Sequence, residues 1–133
     1  MIEINNLTTN PVAKEFLKKI AKKVLKGENK SETELSIALV GEGRIMELNK
    51  KYRGKNRVTD VLAFGDNDGL GEIVICLREV KKNAKRYETT FERELSKVLI
   101  HGILHLLGYN HEKSEVQAKK MEEKENYYLE KLK

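Results

Sequence analysis

The sequence predicts an α+β domain, a small mixed sheet of about four strands packed with about five helices. Three observations carry this. Short, β-rich apolar runs of strand length occur at 34–40, 59–64 and 71–76. Around them, apolar residues recur at intervals of three and four, the spacing of one helix face. Two of the strand-like runs also lie so close together that a tight antiparallel connection is the natural link. The 133 residues contain no repeat, no low-complexity tract and no Ser/Gly/Pro-rich linker, so a single domain over 1–133 is expected.

The elements follow in order. The opening segment "MIEINNLTTNP" has acidic and amide residues and no apolar core of signal-peptide length. Asn10 before Pro11 reads as an N-cap followed by the first helical position. Behind them Val12, Phe16, Leu17, Ile20, Val24 and Leu25 recur at helical spacing, and Gly27 supplies a stop. "ELSIALV" (34–40) alternates and is β-rich, so it predicts a strand. "EGRIMELNKKY" (42–52) predicts a short amphipathic helix through Ile45, Met46 and Leu48. "TDVLAF" (59–64) and "GEIVIC" (71–76) flank "GDNDGL", whose glycines, aspartates and asparagine demand a turn. "LREVKKNAKRY" (77–87) predicts a helix. Thr89 with Glu92 forms a capping box for a long helix that runs toward Leu107 and stops at Gly108. Ser114 with Gln117 forms a second box, opening a charged C-terminal helix.

Hydrophobic residues make up 39% and charged residues 35% of the chain, too apolar a balance for a disordered segment. A single cysteine, Cys76, cannot form an internal disulfide, and no apolar run approaches a membrane span. A soluble cytoplasmic protein with no membrane partner is expected. Net charge is +5, and the basic residues gather in "KYRGKNR" (51–57) and "KKNAKR" (81–86). Lys51, Arg53, Lys55 and Arg57, with Lys81, Lys82, Lys85 and Arg86, are therefore candidates for a rim that tracks a phosphate backbone.

The chemistry concentrates in "HGILHLLGYNH". The chain has only three histidines, and all of them fall between His101 and His111. The long helix is apolar on most sides, through Leu95, Val98, Leu99, Ile103 and their neighbours. One polar stripe interrupts it, made of Glu94, Lys97, His101 and His105. His101 and His105 thus project from one face a turn apart, and Gly108 breaks the helix so that His111 can return to them. Three imidazole nitrogens suit a divalent transition metal, zinc first, with a fourth position open to water in a catalytic site. The spacing is that of the metzincin proteases, yet their glutamate general base is replaced here by Gly102, which disfavours peptide hydrolysis. A closed structural site with the Cys76 thiolate as fourth ligand is the other reading of the same residues.

On these residues the chain resembles the YbeY family, bacterial metal-dependent endoribonucleases associated with ribosomal RNA maturation. The family signature H-G-x-L-H-L-x-G-Y-D-H is similar to "HGILHLLGYNH". "YRGKNRVTDVLAFG" (52–65) is similar to its Y-R-G…T-D-V-L-S-F, and "GEIVIC" to its G-D-I-x-I-S strand. Asn110, Ala63 and Glu72 depart from it, standing where the family usually has Asp, Ser and Asp.

The resemblance implies one metal per chain, most often zinc, held by His101, His105 and His111. It also implies a functional arginine, which falls on Arg53 and whose guanidinium can fork onto a phosphate. The function it implies is cleavage of single-stranded RNA, in late maturation of the small-subunit ribosomal RNA 3′ end and in ribosome quality control. The partners it implies are ribosomal RNA and the small ribosomal subunit. The alternatives are a ribosome-associated RNA-binding factor with a structural zinc site and a metalloprotease-like hydrolase. The coordination position beside the three histidines separates them.

Overall fold

The computed structural model describes residues 1–66 and 69–132. Four strands, β1 (Ile2–Asn6), β2 (Glu34–Val40), β3 (Val61–Gly65) and β4 (Leu70–Cys76), form one mixed sheet in the order β1-β2-β4-β3. β1 and β4 run parallel to β2, whereas β3 and β4 form the expected antiparallel pair, with Val61 opposite Ile75 and Gly65 opposite Gly71. Asn67 and Asp68 of the expected turn lie outside the described residues. Five helices complete the α+β fold: α1 (Lys14–Gly27), α2 (Glu42–Arg53), α3 (Leu77–Arg86), α4 (Phe91–Leu106) and α5 (Glu115–Glu130). No helix among the described residues is long and apolar enough to cross a membrane.

The period-two alternation of the strands divides the core in two. Leu35, Ile37 and Leu39 of β2 and Ile73 and Ile75 of β4 face α1, α4 and α5, where Leu17, Ile20, Leu99, Ile103 and Met121 meet them. The opposite face carries a smaller cluster of Val40, Leu62, Val74 and Cys76, closed by Ile45 of α2. α4 lies close on the β3–β4 ribbon. A Cβ added to Gly102 would stand 3.2 Å from Val61 Cγ2 and 3.3 Å from Ile73 Cγ2, both stiff β-branched side chains.

The structure corrects three boundaries. The fourth strand is Ile2–Asn6, a segment the sequence reading had not assigned to the sheet. The first helix starts at Lys14 behind Ala13, without a side-chain cap, rather than at Asn10–Pro11. Asn10 is engaged elsewhere. The Asn6 amide donates to the Asn10 carbonyl at 2.7 Å, and the Asn10 N–H goes to the Thr8 hydroxyl at 3.2 Å. The cap of α4 is Thr90, which accepts the Arg93 N–H at 3.1 Å, and not Thr89. Thr89 is already committed, its N–H closing α3 onto the Ala84 carbonyl at 2.9 Å. Ser114 caps α5 through Gln117 as expected.

Candidate metal centre

α4 is apolar enough to be buried on most sides, so its polar stripe must open onto something. It opens onto a cavity of about 260 Å³ between α4, the β3 edge and the segment after α2. His101, His105 and His111 all line it, together with Arg53, Lys55 and Arg57. His101 and His105 meet because residues four apart share a helix face. His111 reaches them through a glycine turn. Gly108 adopts φ +106°, its N–H bonds the His105 carbonyl at 3.1 Å, and the Tyr109 N–H bonds the Leu104 carbonyl at 3.1 Å. This pair of bonds satisfies the last carbonyls of α4 while reversing the chain. Asn110 then accepts the Glu112 N–H on Oδ1 at 3.0 Å. An Asp would fill the same turn role, so the departure at Asn110 removes a charge and leaves the turn intact.

The three rings stand around one point. Their centroids are 5.2 Å (His101–His111), 5.6 Å (His105–His111) and 5.8 Å (His101–His105) apart. Three imidazoles on one tetrahedral ion, with metal–nitrogen bonds of about 2 Å, would have centroids about 5 Å apart. Even so, no group of three or more His, Cys, Asp or Glu side chains among the described residues is already in metal-holding geometry. His111 Nε2 lies 3.9 Å from Glu112 Oε1 at the mouth of the same cavity.

The chemistry of the donors suits a metal. His101 donates from Nδ1 to the Glu125 carboxylate of α5, which is half-hidden at 13% exposure. A carboxylate only accepts, so in the neutral ring that a metal requires the proton sits on Nδ1 and Nε2 is the nitrogen left to ligate. This is the outer support that metal-binding histidines usually have. Burial, with His101, His111 and Arg53 nearby, holds the His105 pKa below its ordinary value, which keeps that ring neutral and able to ligate.

Arg53 is the last residue of α2, and Gly54 ends the helix in the left-handed region at φ 66°. Its Nη2 donates to the Ala63 carbonyl at 2.8 Å, and its guanidinium lies over the Phe64 ring. One donor thus anchors the group to β3, leaving others for a ligand. Buried Asn49 donates from Nδ2 to the Arg57 carbonyl at 3.0 Å, which holds the basic segment against α2 and sets Lys55 and Arg57 at the cavity wall.

The other basic residues are placed elsewhere. Lys51 lies over Tyr52, Lys81 over Phe91, and Lys82 pairs with Glu42 and Glu79. These three, with Lys85 and Arg86, do not line the histidine cavity. Cys76 does not line it either. It is fully buried in the cluster on the far face of the sheet, where burial pushes its thiol pKa up. A fourth thiolate ligand from Cys76 is therefore ruled out by position. A side chain at 102 would be crowded, because its Cβ would stand 3.2 Å from Val61 Cγ2 and 3.3 Å from Ile73 Cγ2. Glu72, another departure, lies on an exposed stretch of β4 away from this cavity.

Three residues of the site gave no sequence signal: Glu125, Asn49 and Glu28. Glu28, just after α1, accepts the Tyr109 hydroxyl at 2.6 Å and also the Tyr128 hydroxyl, with Lys124 Nζ at 3.3 Å. It ties the turn that delivers His111 to both α1 and α5. Burial opposes the Glu28 charge, but the two hydroxyls and Lys124 outweigh it and hold its pKa below the usual range. The Tyr109 hydroxyl is pushed up to about 12.

Comparisons with known proteins agree with this architecture. The family model described as "Endoribonuclease YbeY" matches residues 3–133. The endoribonuclease YbeY of Thermotoga maritima is 43% identical over 121 residues, covering 90% of this chain and 77% of that protein. That of Thermodesulfovibrio yellowstonii is 48% identical over 106 residues, covering 74% of this chain and 67% of that protein. The solution structure of TM1509 from Thermotoga maritima superposes with a TM-score of 0.73 at 41% identity, covering 98% of this chain and 87% of that one. With the histidine turn, the arginine and the sheet order in place, and a family model that spans nearly every residue, the chain belongs to the endoribonuclease YbeY family.

Proposed function

We propose that the chain is a metal-dependent endoribonuclease that cuts single-stranded RNA, and that it acts on small-subunit ribosomal RNA in the cytoplasm. One observation carries the reading: the three histidines share a single cavity with Arg53, Lys55 and Arg57. That combination offers a seat for a divalent ion and cations for a phosphate backbone in one recess. Family membership supports RNA as the substrate, and the resemblance at "HGILHLLGYNH" and "YRG" supports ribosomal RNA and the small subunit as target and partner.

His101, His105 and His111 would hold the ion, one per chain, with zinc the first candidate for this nitrogen donor set. When bound, it supplies Lewis-acid charge to a phosphoryl oxygen and acidifies water. The protein's own groups do the rest. Glu125 fixes the His101 tautomer. Arg53, held at one end by Ala63, turns its remaining N–H donors toward the phosphate and the charge that grows on it during cleavage. Lys55 and Arg57 neutralise the flanking backbone. A recess of about 260 Å³ admits a nucleotide that has left its stack, which favours a single strand over a duplex.

The test is cleavage of a labelled single-stranded RNA by zinc-reconstituted protein, beside a chelator control and a His105→Ala variant. We expect cleavage by the parent alone, and about one equivalent of metal retained by the parent and lost from the variant. Undiminished cleavage after metal removal would overturn the reading. Product ends identify the nucleophile: a 2′,3′-cyclic phosphate marks the ribose hydroxyl, a linear monophosphate marks water.

A further inference from the structure

The polar stripe of α4 does not end at the histidines. Glu94 and Lys97, two turns and one turn before His101, line a second cavity of about 200 Å³ with Asp60, Asn83, Tyr87 and His101. Asp60, Val61 and His101 belong to both cavities, so the two are neighbours across a shared wall. Nothing in the metal chemistry uses the second one.

Its lining is specific. Glu94 is only 4% exposed, and its carboxyl takes part in no hydrogen bond among the described residues, although it lines an open recess. Its carboxylate acceptors are thus uncommitted and open to a donor that enters the recess. Asp60 is held in place from two sides. Its carbonyl accepts the Cys76 N–H at 2.9 Å, and its carboxylate accepts the Asn83 amide at 3.5 Å. Lys97 stands over the exposed Tyr87 ring, 5.4 Å from the centroid, at the same recess. Burial, opposed by Lys97 and reinforced by Asp60, raises the Glu94 pKa.

We propose that this second cavity binds the nucleobase beside the scissile phosphate and selects guanine. The inference rests on the endoribonuclease reading above. Guanine alone among the four bases sets an imino N–H and an amino group side by side, next to the O6 acceptor. The Asp60 and Glu94 carboxyls accept from the first two, and the Lys97 ammonium and Asn83 amide donate to O6. Uracil offers one N–H between two carbonyls, and adenine and cytosine each offer an amino donor beside a ring acceptor. Unstacked RNA bases are read on just such edges, with an aromatic side chain supplying the stack, here Tyr87.

Cleavage of single-stranded RNAs identical except for the base at one position tests this. The parent should cut beside guanine at least about tenfold faster than beside uracil or adenine, the discrimination that one good bidentate contact gives. Asp60→Asn replaces an acceptor with an amide that suits adenine, so the guanine-to-adenine ratio should fall at least about tenfold. Glu94→Gln should lower it less. A ratio is insensitive to how much protein folds, which separates recognition from stability. Equal cutting at all four bases, or a ratio that Asp60→Asn does not lower, would overturn the proposal. Should no RNA be cut, the endoribonuclease reading itself fails. The cavity is then judged by calorimetric titration with 5′-GMP and 5′-AMP, where a preference for GMP that Asp60→Asn removes sustains it and any other result overturns it.

Discussion

Two clusters of polar side chains share the turn between α4 and α5, and they are built to opposite rules. In the Glu28 cluster both carboxylate oxygens are taken, by the Tyr109 and Tyr128 hydroxyls, with Lys124 completing the set. In the histidine cavity Lys55 and Arg57 face open space, Arg53 has committed one donor, and His105 is held neutral. Matched groups hold a structure together, and unmatched groups at a cavity wall are available to a ligand. The first cluster is a clamp and the second a candidate site, although Tyr109 of one and His111 of the other are only two residues apart.

The contrast breaks most visibly through Arg53. Arg53→Ala should lower single-turnover RNA cleavage by about 10²–10³-fold, the scale for removing a donor aimed at developing charge. Zinc content should stay the same, and stability should remain within about 0.5 kcal/mol, as for most exposed positions. A variant that unfolds would move Arg53 into the structural class and erase the distinction.

Glu28→Gln probes the clamp. It should cost about 1–3 kcal/mol in urea unfolding at neutral pH, because two buried hydroxyls and a lysine lose their shared anion. The pH dependence has a definite sign. The folded Glu28 pKa lies below the ordinary 4.5, so its stabilising contribution is complete above that pH and fades as pH falls through the folded value. The parent and Glu28→Gln should therefore converge in acid. Parallel stability curves at all pH values would show that the carboxylate is not the clamp.

The smallest effect belongs to the rim. Replacing Lys55 and Arg57 together by alanine should flatten the plot of log RNA affinity against log salt by about 0.7 per residue. Lys81 and Lys82, outside the cavity, supply the control, and their double replacement should leave the slope nearer that of the parent. If the α3 pair proves equal to the cavity pair, the rim extends beyond the cavity wall.

What could be read from the sequence follows from how local each feature is. The histidine cluster was legible because helical spacing alone places His101 and His105 on one face, and Gly108 announces the turn that returns His111 to them. The antiparallel ribbon and the Ser114 cap were legible for the same reason. Glu125, Asn49 and Glu28 reach the site through space from other elements. Glu125 is one of several glutamates on a charged helix, so no spacing distinguishes it. The helix starts at Asn10 and Thr89 were misread because their polar groups were claimed by neighbours, the first by Asn6 and Thr8, the second by the end of α3. Strand β1 offers only Ile2 and Ile4 among polar residues, too short an alternation to separate from a loop.

The placement of all three candidate ligands between His101 and His111 has a consequence for the unfolded chain. A site assembled from distant elements vanishes when the protein unfolds. Three imidazoles within one short segment stay together, so the unfolded polypeptide keeps a share of the affinity for a divalent ion. An ion that binds both states stabilises the fold only by the difference between its two affinities. On the proposed metal centre, zinc should therefore raise the melting temperature of this protein by less than the tightness of its binding suggests, and a newly made chain could meet the ion before the sheet exists.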